Sequence, residues 1–311
     1  MKSLNKLRMQ PDTYHKKAQY HFGEVLGAGA YGTVREAEYK GNKCAVKIIL
    51  KKRLKGKEAM IHDEVNVLRA FDHPHIVKIV DFFESKSKFY LVTQLASGGS
   101  LSRRISDGGR FTEKDASRTI RQVLIAVDYL HGQNVVHRGK QHGQPTPGKL
   151  TAADLKPENL VYLTEEANSP LLLVDFGIAK TLDGPDAVST LTSGSLGYAA
   201  PEVMLQQPHD KAADLWSLGI ITYLLLCGYC PFKSQMLCDL IEECKGGPVI
   251  FHDRYWKDVT KAARDFIVML LQPDPQRRPT SQKALGHMWL TGETASEHDV
   301  IADRFDGTSQ G

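Results

Sequence analysis

From Leu215 to Phe232 the chain runs eighteen residues without a charge, between Asp214 and Lys233. That length sits at the lower limit for crossing a bilayer, yet Ser217, Gly219, Gly228 and Pro231 all fall inside the run. A helix buried on every side explains it better, and such a helix needs a lobe thick enough to surround it. We therefore expect no membrane segment and a sizeable helical core. The buried helix falls near 213–227, and further helical stretches near 113–132, 235–245 and 261–271 supply its neighbours. At 311 residues the chain is about twice as long as one typical domain, so room remains for a second unit.

That second unit comes first in the chain and reads as sheet. Phe22–Leu26, Thr33–Tyr39 and Cys44–Leu50 are extended runs, and Ile76–Phe83 and Phe89–Leu95 follow later. Between them a helix from about Glu58 to Ala70 places Ile61, Val65 and Leu68 on one face. His73-Pro74 stops it. Ala96-Ser97-Gly98-Gly99-Ser100 reads as a hinge. The expected fold class is α+β and bilobal. A small five-stranded lobe with one main helix spans 20–95, and a larger, mainly helical lobe spans 96–290. Residues 1–19 form a basic N-terminal arm read as a solvated terminus, and 291–311 a short acidic tail. Ligands prefer the cleft between such lobes.

Charge and cysteine usage narrow the function classes. The net charge of +4 is accounted for by Lys2, Lys6, Arg8, Lys16 and Lys17 against Asp12, so nothing argues for a nucleic-acid partner. The chain is 41% hydrophobic and 24% charged, a mix that excludes a disordered or collagen-like protein. Five cysteines, 44, 227, 230, 238 and 244, occur in a chain whose first residues have no apolar leader region. A reducing, cytoplasmic setting is expected. Cys227-Gly-Tyr-Cys230 spells CxxC, but no second pair stands at zinc spacing and the flanks are apolar, so it reads as core.

The chemistry-bearing residues come in a fixed order. Gly27-Ala28-Gly29-Ala30-Tyr31-Gly32-Thr33-Val34 puts three glycines in a turn followed by a strand. A dinucleotide fingerprint requires a helix there. A glycine flap between strands lets backbone N–H groups approach phosphates without interference from Cβ atoms. Ala45-Val46-Lys47 then places a lysine on a strand, with Glu64 on the next helix as its candidate partner; the plainer alternative is a surface ion pair. Asp154-Leu155-Lys156-Pro157-Glu158-Asn159 precedes the strand Leu160–Leu163, and Leu171–Val174 runs into Asp175-Phe176-Gly177. Asn159 and Asp175 offer hard oxygen ligands suited to Mg²⁺. Asp154 is placed to accept a hydroxyl proton, and Lys156 to balance charge on a moving phosphoryl group.

Taken together these motifs resemble the eukaryotic protein kinases over about Phe22 to Leu290. The matches are GAGAYGTV at 27–34, AVK at 45–47, Glu64, HR at 137–138 with DLKPEN at 154–159, DFG at 175–177, APE at 200–202, DLWSLG at 214–219 and Arg278. The resemblance implies an ATP- and Mg²⁺-dependent phosphotransferase acting on protein substrates. It implies Asp154 and Lys156 as catalytic residues, a Lys47–Glu64 ion pair, and Asn159 and Asp175 as metal ligands. The nucleotide site would be lined by Leu26, Gly27, Ala28, Gly29, Ala30, Tyr31, Gly32, Thr33, Val34, Ala45 and Val161. Thr93 would be the gatekeeper, with Gln94 and Ala96 offering hinge backbone to adenine. His137, Arg138, Glu202, Asp214 and Arg278 would be structural supports, Asp214 bracing the catalytic loop and Glu202 pairing with Arg278. Lys156 and the GSLGYAAPE segment resemble serine/threonine rather than tyrosine specificity. YLVTQLASGG, DFGIAKTLD, LLLCGYCPF and HMWL resemble calcium/calmodulin-dependent protein kinases, the fungal ones especially.

Four departures from the family pattern carry expectations of their own. Gly139 to Ala153 separates His137-Arg138 from Asp154, and removing those fifteen residues restores HRDLKPEN. As an exposed loop the segment costs on the order of 2–3 kcal/mol to close, but it displaces Arg138 from the aspartate it supports. A catalytically impaired nucleotide-binding scaffold is the rival reading it raises. A translated intron is a second origin. Gly139-Lys140 permits a GTAAG donor, Leu150-Thr151 a CTGAC branch string and Ala153-Asp154 a CAG acceptor, and splicing would rebuild one aspartate codon. Ser100 stands where many relatives carry glutamate, with Arg103 and Arg104 close by, so a preference for upstream arginine in substrates is not expected. The tail 291–311 has Glu293, Glu297, Asp299, Asp303 and Asp306 against Arg304, the opposite of the basic amphipathic helix that calmodulin grips, so calmodulin is not expected as a partner. Thr190, Thr192 and Ser193 are activation-loop candidates for an upstream kinase, although Leu191 occupies the register of the relatives' activating threonine. Ser195 reads instead as a contact to Asp154 and Lys156.

Overall fold

The structure, a computed structural model, describes residues 11–29, 32–54, 58–107, 111–133, 137–141, 144–148, 155–174 and 196–292. The chain divides into two compact units, with the break between Ser97 and Gly98. In the first, β1 (His21–Gly29), β2 (Gly32–Tyr39), β3 (Asn42–Leu50), β4 (Ile79–Glu84) and β5 (Lys88–Gln94) form one antiparallel sheet in the order β1-β2-β3-β5-β4. Helix α1 (Glu58–Arg69) lies between β3 and β4 in sequence and buries Ile61, Val65 and Leu68, the three positions its periodicity picks out. His62 of α1 meets the rings of Phe82 and Phe89 edge-on at 5.3 Å each.

Alternation along β3 sends successive side chains to opposite faces of the sheet. Cys44 and Val46 face a buried cluster with Ala37, Phe83, Tyr90, Val92 and Tyr20. Ala45 and Lys47 face the other way. Tyr20 is the surprise, because it closes that cluster from the chain's beginning. It stacks on Tyr39 at 4.7 Å and Phe83 at 5.1 Å, and its hydroxyl donates to Asp81 at 3.1 Å. The preceding 3-10 helix, Asp12–Gln19, joins in. Lys16 pairs with Asp81 at 2.7 Å, and Thr13 Oγ1 accepts the Glu84 N–H at 3.1 Å. Residues 12–19 are therefore not a solvated arm. Their lysines carry packed stems as well as charge, Lys17 lying over the Tyr90 ring at 5.8 Å.

The second unit holds α2 (Leu101–Ser106), α3 (Glu113–Gly132), α4 (Pro201–Met204), α5 (Ala212–Cys227), α6 (Leu237–Lys245), α7 (Asp253–Trp256), α8 (Lys261–Leu270) and α9 (Ser281–Leu285). The uncharged run becomes α5, buried at thirteen of its positions and packed against both α3 and α8. Gly219 permits the closest approach, since a Cβ there would stand 2.7 Å from a Leu271 methyl. The helix stops at Gly228, whose φ of 75° lies in the left-handed region where glycine is favoured. Among the described residues no helix is long and apolar enough to cross a membrane.

One segment departs from expectation. Residues expected to leave as an open loop form a hairpin, β6 (His137–Gln141) against β7 (Gln144–Gly148), pairing His137 with Gly148 and Arg138 with Pro147. Pro145 and Pro147 lack N–H donors, but they alternate, so both gaps fall on one edge of β7 and the residues between them remain able to pair. The pairing takes in His137 and Arg138 themselves.

Candidate active site

Strand register in the first unit assembles one face from residues far apart in sequence. Val34 stands opposite Lys47, Ala45 opposite Thr93, and Lys47 opposite Leu91. Directly opposed residues share a face, so Val34, Ala45, Lys47 and Thr93 lie together on the face away from the Tyr20 cluster. Beyond them the β1–β2 hairpin pairs Gly27 with Val34, Ala28 with Thr33 and Gly29 with Gly32. β1 is irregular on either side of Val25, and Leu26 is half exposed. Gly32 is required by close approach, because a Cβ there would sit 1.8 Å from the Ile48 carbonyl oxygen. Ala30 and Tyr31 lie outside the described residues, and Glu64 is placed only as a position on α1.

In the second unit the chain enters through two glycines. Gly98 N–H donates to the Tyr162 carbonyl at 2.9 Å, Tyr162 N–H donates to the Gly99 carbonyl at 3.0 Å, and Ser100 bridges Val161. The hinge sequence thus becomes a partner of β8 (Leu160–Tyr162). A Cβ on Gly98 would fall 1.9 Å from the Thr164 carbonyl oxygen, and Gly99 has φ +78°. Ser100 caps α2, its hydroxyl accepting the Arg103 N–H at 3.1 Å. Arg104 lies 3.7 Å over the Tyr162 ring. Burial pushes the Tyr162 phenol up, with Thr119 and Arg104 pulling the other way.

A second short hairpin brings Asn159 beside the chain at Val174. β8 pairs with β9 (Leu171–Leu173), Leu160 opposite Leu173. One step outward, Val174 N–H donates to the Asn159 carbonyl at 3.0 Å. Asn159 is buried and ends a 3-10 turn begun by Pro157, with Leu155 and Pro157 buried beneath it and Lys156 half-buried. The residue before Asp175 is therefore bonded to Asn159. Asp154, Asp175, Thr190, Thr192, Ser193 and Ser195 lie outside the described residues.

Elsewhere in the second unit, the residues expected as supports make buried contacts of their own. Arg278 makes a two-pronged, buried ion pair with Glu202, at 2.6 and 2.8 Å. The same guanidinium donates to the carbonyls of Gln272, Ala212 and Pro273 and covers the Trp216 ring at 5.0 Å. Together these bonds use all five N–H donors of the guanidinium. Asp214 lies 2.8 Å from His131 Nε2, both side chains buried, and Lys211 donates to the His131 carbonyl. Ser217 of α5 donates to the Tyr198 carbonyl at 2.8 Å, fixing the segment before Pro201. Burial raises the Tyr198 phenol and the Cys230 thiol, which neighbour each other and Glu158.

Sequence reasoning passed over His131 and the capping role of Ser100. Both had a signal. His131 continues the Leu124, Val127 spacing of the buried face of α3, and a serine directly before a helix is a preferred cap.

Comparison with known proteins agrees along most of the chain. Residues 20–290 match the model of the protein kinase domain. The chain is 60% identical over 300 residues to calcium/calmodulin-dependent protein kinase cmkA of Emericella nidulans, covering 96% of this chain and 69% of that one. It is 55% identical over 300 residues to a calcium/calmodulin-dependent protein kinase of Metarhizium anisopliae, covering 75% of it. Identity to the human type 1B enzyme of the same name is 41% over 297 residues, 82% of that protein.

Proposed function

From the premise that this chain belongs to the protein kinase family and is a protein serine/threonine kinase, we propose that it moves the γ-phosphate of Mg·ATP to serine and threonine hydroxyls of protein substrates. The observation that carries this reading is the bond from Val174 N–H to the Asn159 carbonyl. Two oxygen ligands for Mg²⁺ must converge, and this bond holds the chain at Asn159 beside the chain that enters Asp175. The buried Asn159 side chain and the carboxylate of Asp175 suit a hard cation. Held there beside the phosphates, Mg²⁺ would supply positive charge to offset that of the transferring group. Asp154 orients the incoming hydroxyl and takes its proton, and Lys156 balances the charge that spreads over the phosphoryl oxygens. Lys47, held opposite Val34 and Leu91, reaches the α- and β-phosphates with Glu64 as its partner. The glycines of the β1–β2 hairpin, with Leu26, Ala28, Thr33, Ala45 and Val161, enclose the nucleotide, while Thr93, Gln94 and Ala96 meet the base.

Residues 139–153 are an interruption of the catalytic loop in this reading. Pairing of Arg138 with Pro147 engages a residue that would otherwise support Asp154, and an error of about 1 Å near the reacting atoms costs roughly 10²-fold in rate. The test is γ-phosphate transfer to a generic serine/threonine substrate by three chains: the full sequence, one lacking 139–153, and Asp154→Asn. Activity in the shortened chain alone supports the kinase and marks the segment as inhibitory or as translated intron. Activity in both marks it as a tolerated hairpin. Neither exceeding Asp154→Asn refutes an autonomously active enzyme and leaves the scaffold. Transcripts that retain the segment in most reads would refute the intron.

Control is proposed to come from phosphate added at Thr190, Thr192 or Ser193 by another kinase. The relatives named above carry calmodulin in their names; for this chain we expect no grip through 291–311, where five acids face one arginine. Calcium-dependent retention on immobilised calmodulin would overturn that.

A further inference from the structure

At the end of β5 the strand pairing changes hands. Gln94 stands opposite Cys44 of β3 on one side. On the other its N–H donates to the Lys78 carbonyl at 3.0 Å. An antiparallel pair of that kind ordinarily exchanges two main-chain bonds, the second running from Lys78 N–H to the Gln94 carbonyl. Here the Lys78 N–H goes instead to the side-chain Oε1 of Gln94, at 2.9 Å. The side-chain amide has taken the place of the main-chain carbonyl. Lys78 keeps a satisfied donor, its ammonium lies 3.2 Å from Asp72, and the Gln94 carbonyl is released from β4.

We propose that Gln94 is a positioning residue for the base. Its side chain completes the β4–β5 pairing and thereby turns its own carbonyl into an acceptor for the 6-amino group of adenine. The idea rests on the ATP reading above. It makes the amide oxygen, rather than bulk or polarity alone, the feature that matters. Asp72, His73, Pro74, Lys78 and Gln94 also line an open hollow of about 310 Å³. Water can reach the bond there, so its loss weakens base recognition without unfolding the sheet.

The test measures binding of Mg·ATP and of Mg·ITP, whose 6-oxo group cannot donate, by fluorescence titration of the full chain. Variants are Gln94→Met, which lacks the acceptor, and Gln94→Glu, which keeps one. In Gln94→Met, ATP affinity should fall about threefold to tenfold, the worth of one net hydrogen bond, while ITP affinity stays put. Gln94→Glu should retain the parent's ATP-over-ITP ratio. Equal loss of both nucleotides, or no loss of either, overturns the proposal. A parent chain that binds neither refutes the ATP reading itself, a different failure. A further measurement needs no variant. The Lys78 amide should be protected from hydrogen exchange without nucleotide, and rapid exchange there also overturns the proposal.

Discussion

Glu113 is a fully buried carboxylate, and replacing it with alanine removes the acceptor shared by three donors. Its oxygens accept from Thr260 N–H at 3.0 Å, from the Thr260 hydroxyl at 2.6 Å and from Trp289 Nε1 at 2.9 Å. Among the described residues no lysine or arginine pairs with it. Two helix starts stand in for a cation, because Glu113 is the first residue of α3 and Thr260 is the cap of α8. Removing the carboxylate leaves three donors facing a small void. Charged hydrogen bonds contribute about 1.5–3 kcal/mol each, and losing one partner of a buried ionic network costs about 3–5 kcal/mol in practice. At about 2–4 °C per kcal/mol for a unit of this size, Glu113→Ala should lower the melting temperature by about 6–20 °C. Glu113→Gln separates acceptor number from shape. Its single oxygen can serve Trp289 and the Thr260 hydroxyl, but its amide then faces the Thr260 N–H, so the cost falls to about 1–3 kcal/mol. Melting by circular dichroism, with and without nucleotide, checks both. An alanine variant within about 2 °C of the parent, or a glutamine variant as damaged as alanine, would refute the account.

Gly98→Ala pushes a methyl carbon to 1.9 Å from the Thr164 carbonyl oxygen, so the backbone must move and stability should fall by about 1–3 kcal/mol; an unchanged melting curve would sink this. Burial first, then Glu243, pushes the Cys244 thiol up to about 12. At pH 8 iodoacetamide should therefore label exposed Cys238 well before Cys244 in the folded chain, and peptide mass spectrometry showing the reverse order would count against the packing of α6. Burial holds His287 below the usual histidine range, against a weaker upward pull from Asp265, and its Nδ1 accepts the Trp289 N–H at 3.3 Å. As pH falls through about 6.5 the unfolded chain takes up a proton that the folded chain refuses, so stability is intact above that value and declines below it. His287→Gln should flatten the fall in melting temperature between pH 7.5 and 5.5; parallel curves would contradict it.

Much of the fold could be read from periodicity because each element buries one defined face. The spacing of Ile61, Val65 and Leu68 and the uncharged length of α5 both report simple amphipathic or all-round burial, and the structure buries them as read. Elements stabilised by partners distant in sequence were not legible. Nothing local marks Tyr20 as a core residue, since its cluster is completed by Phe83 and Tyr90 from strands late in the sequence. Nor do β6 and β7 look like a strand pair in the sequence, because Pro145 and Pro147 are strand-poor residues whose alternation makes them harmless. At the site, residue types and order pointed to Asn159 and Asp175, while the bond from Val174 to Asn159 depends on the pairing of β8 with β9. Gln94 shows the limit most clearly: sequence offered its backbone as a base contact, and only geometry reveals what its side chain does for that backbone.

The tie between Glu113 and Trp289 spans 176 residues, and that distance has a meaning during synthesis. The sheet unit lies almost wholly within the first 97 residues, so its strands and the segment that carries Tyr20 can settle as soon as β5 has left the ribosome. The helical unit cannot close so early. At about 5–20 residues per second, Glu113 waits roughly 9–35 s for the tryptophan that completes its shell. Over the last part of that interval, once Cys227 has been made, α5 has its apolar surface but not its last neighbours. A nascent chain stalled before Trp289 should therefore bind chaperones through the helical unit alone, while its sheet already resists protease.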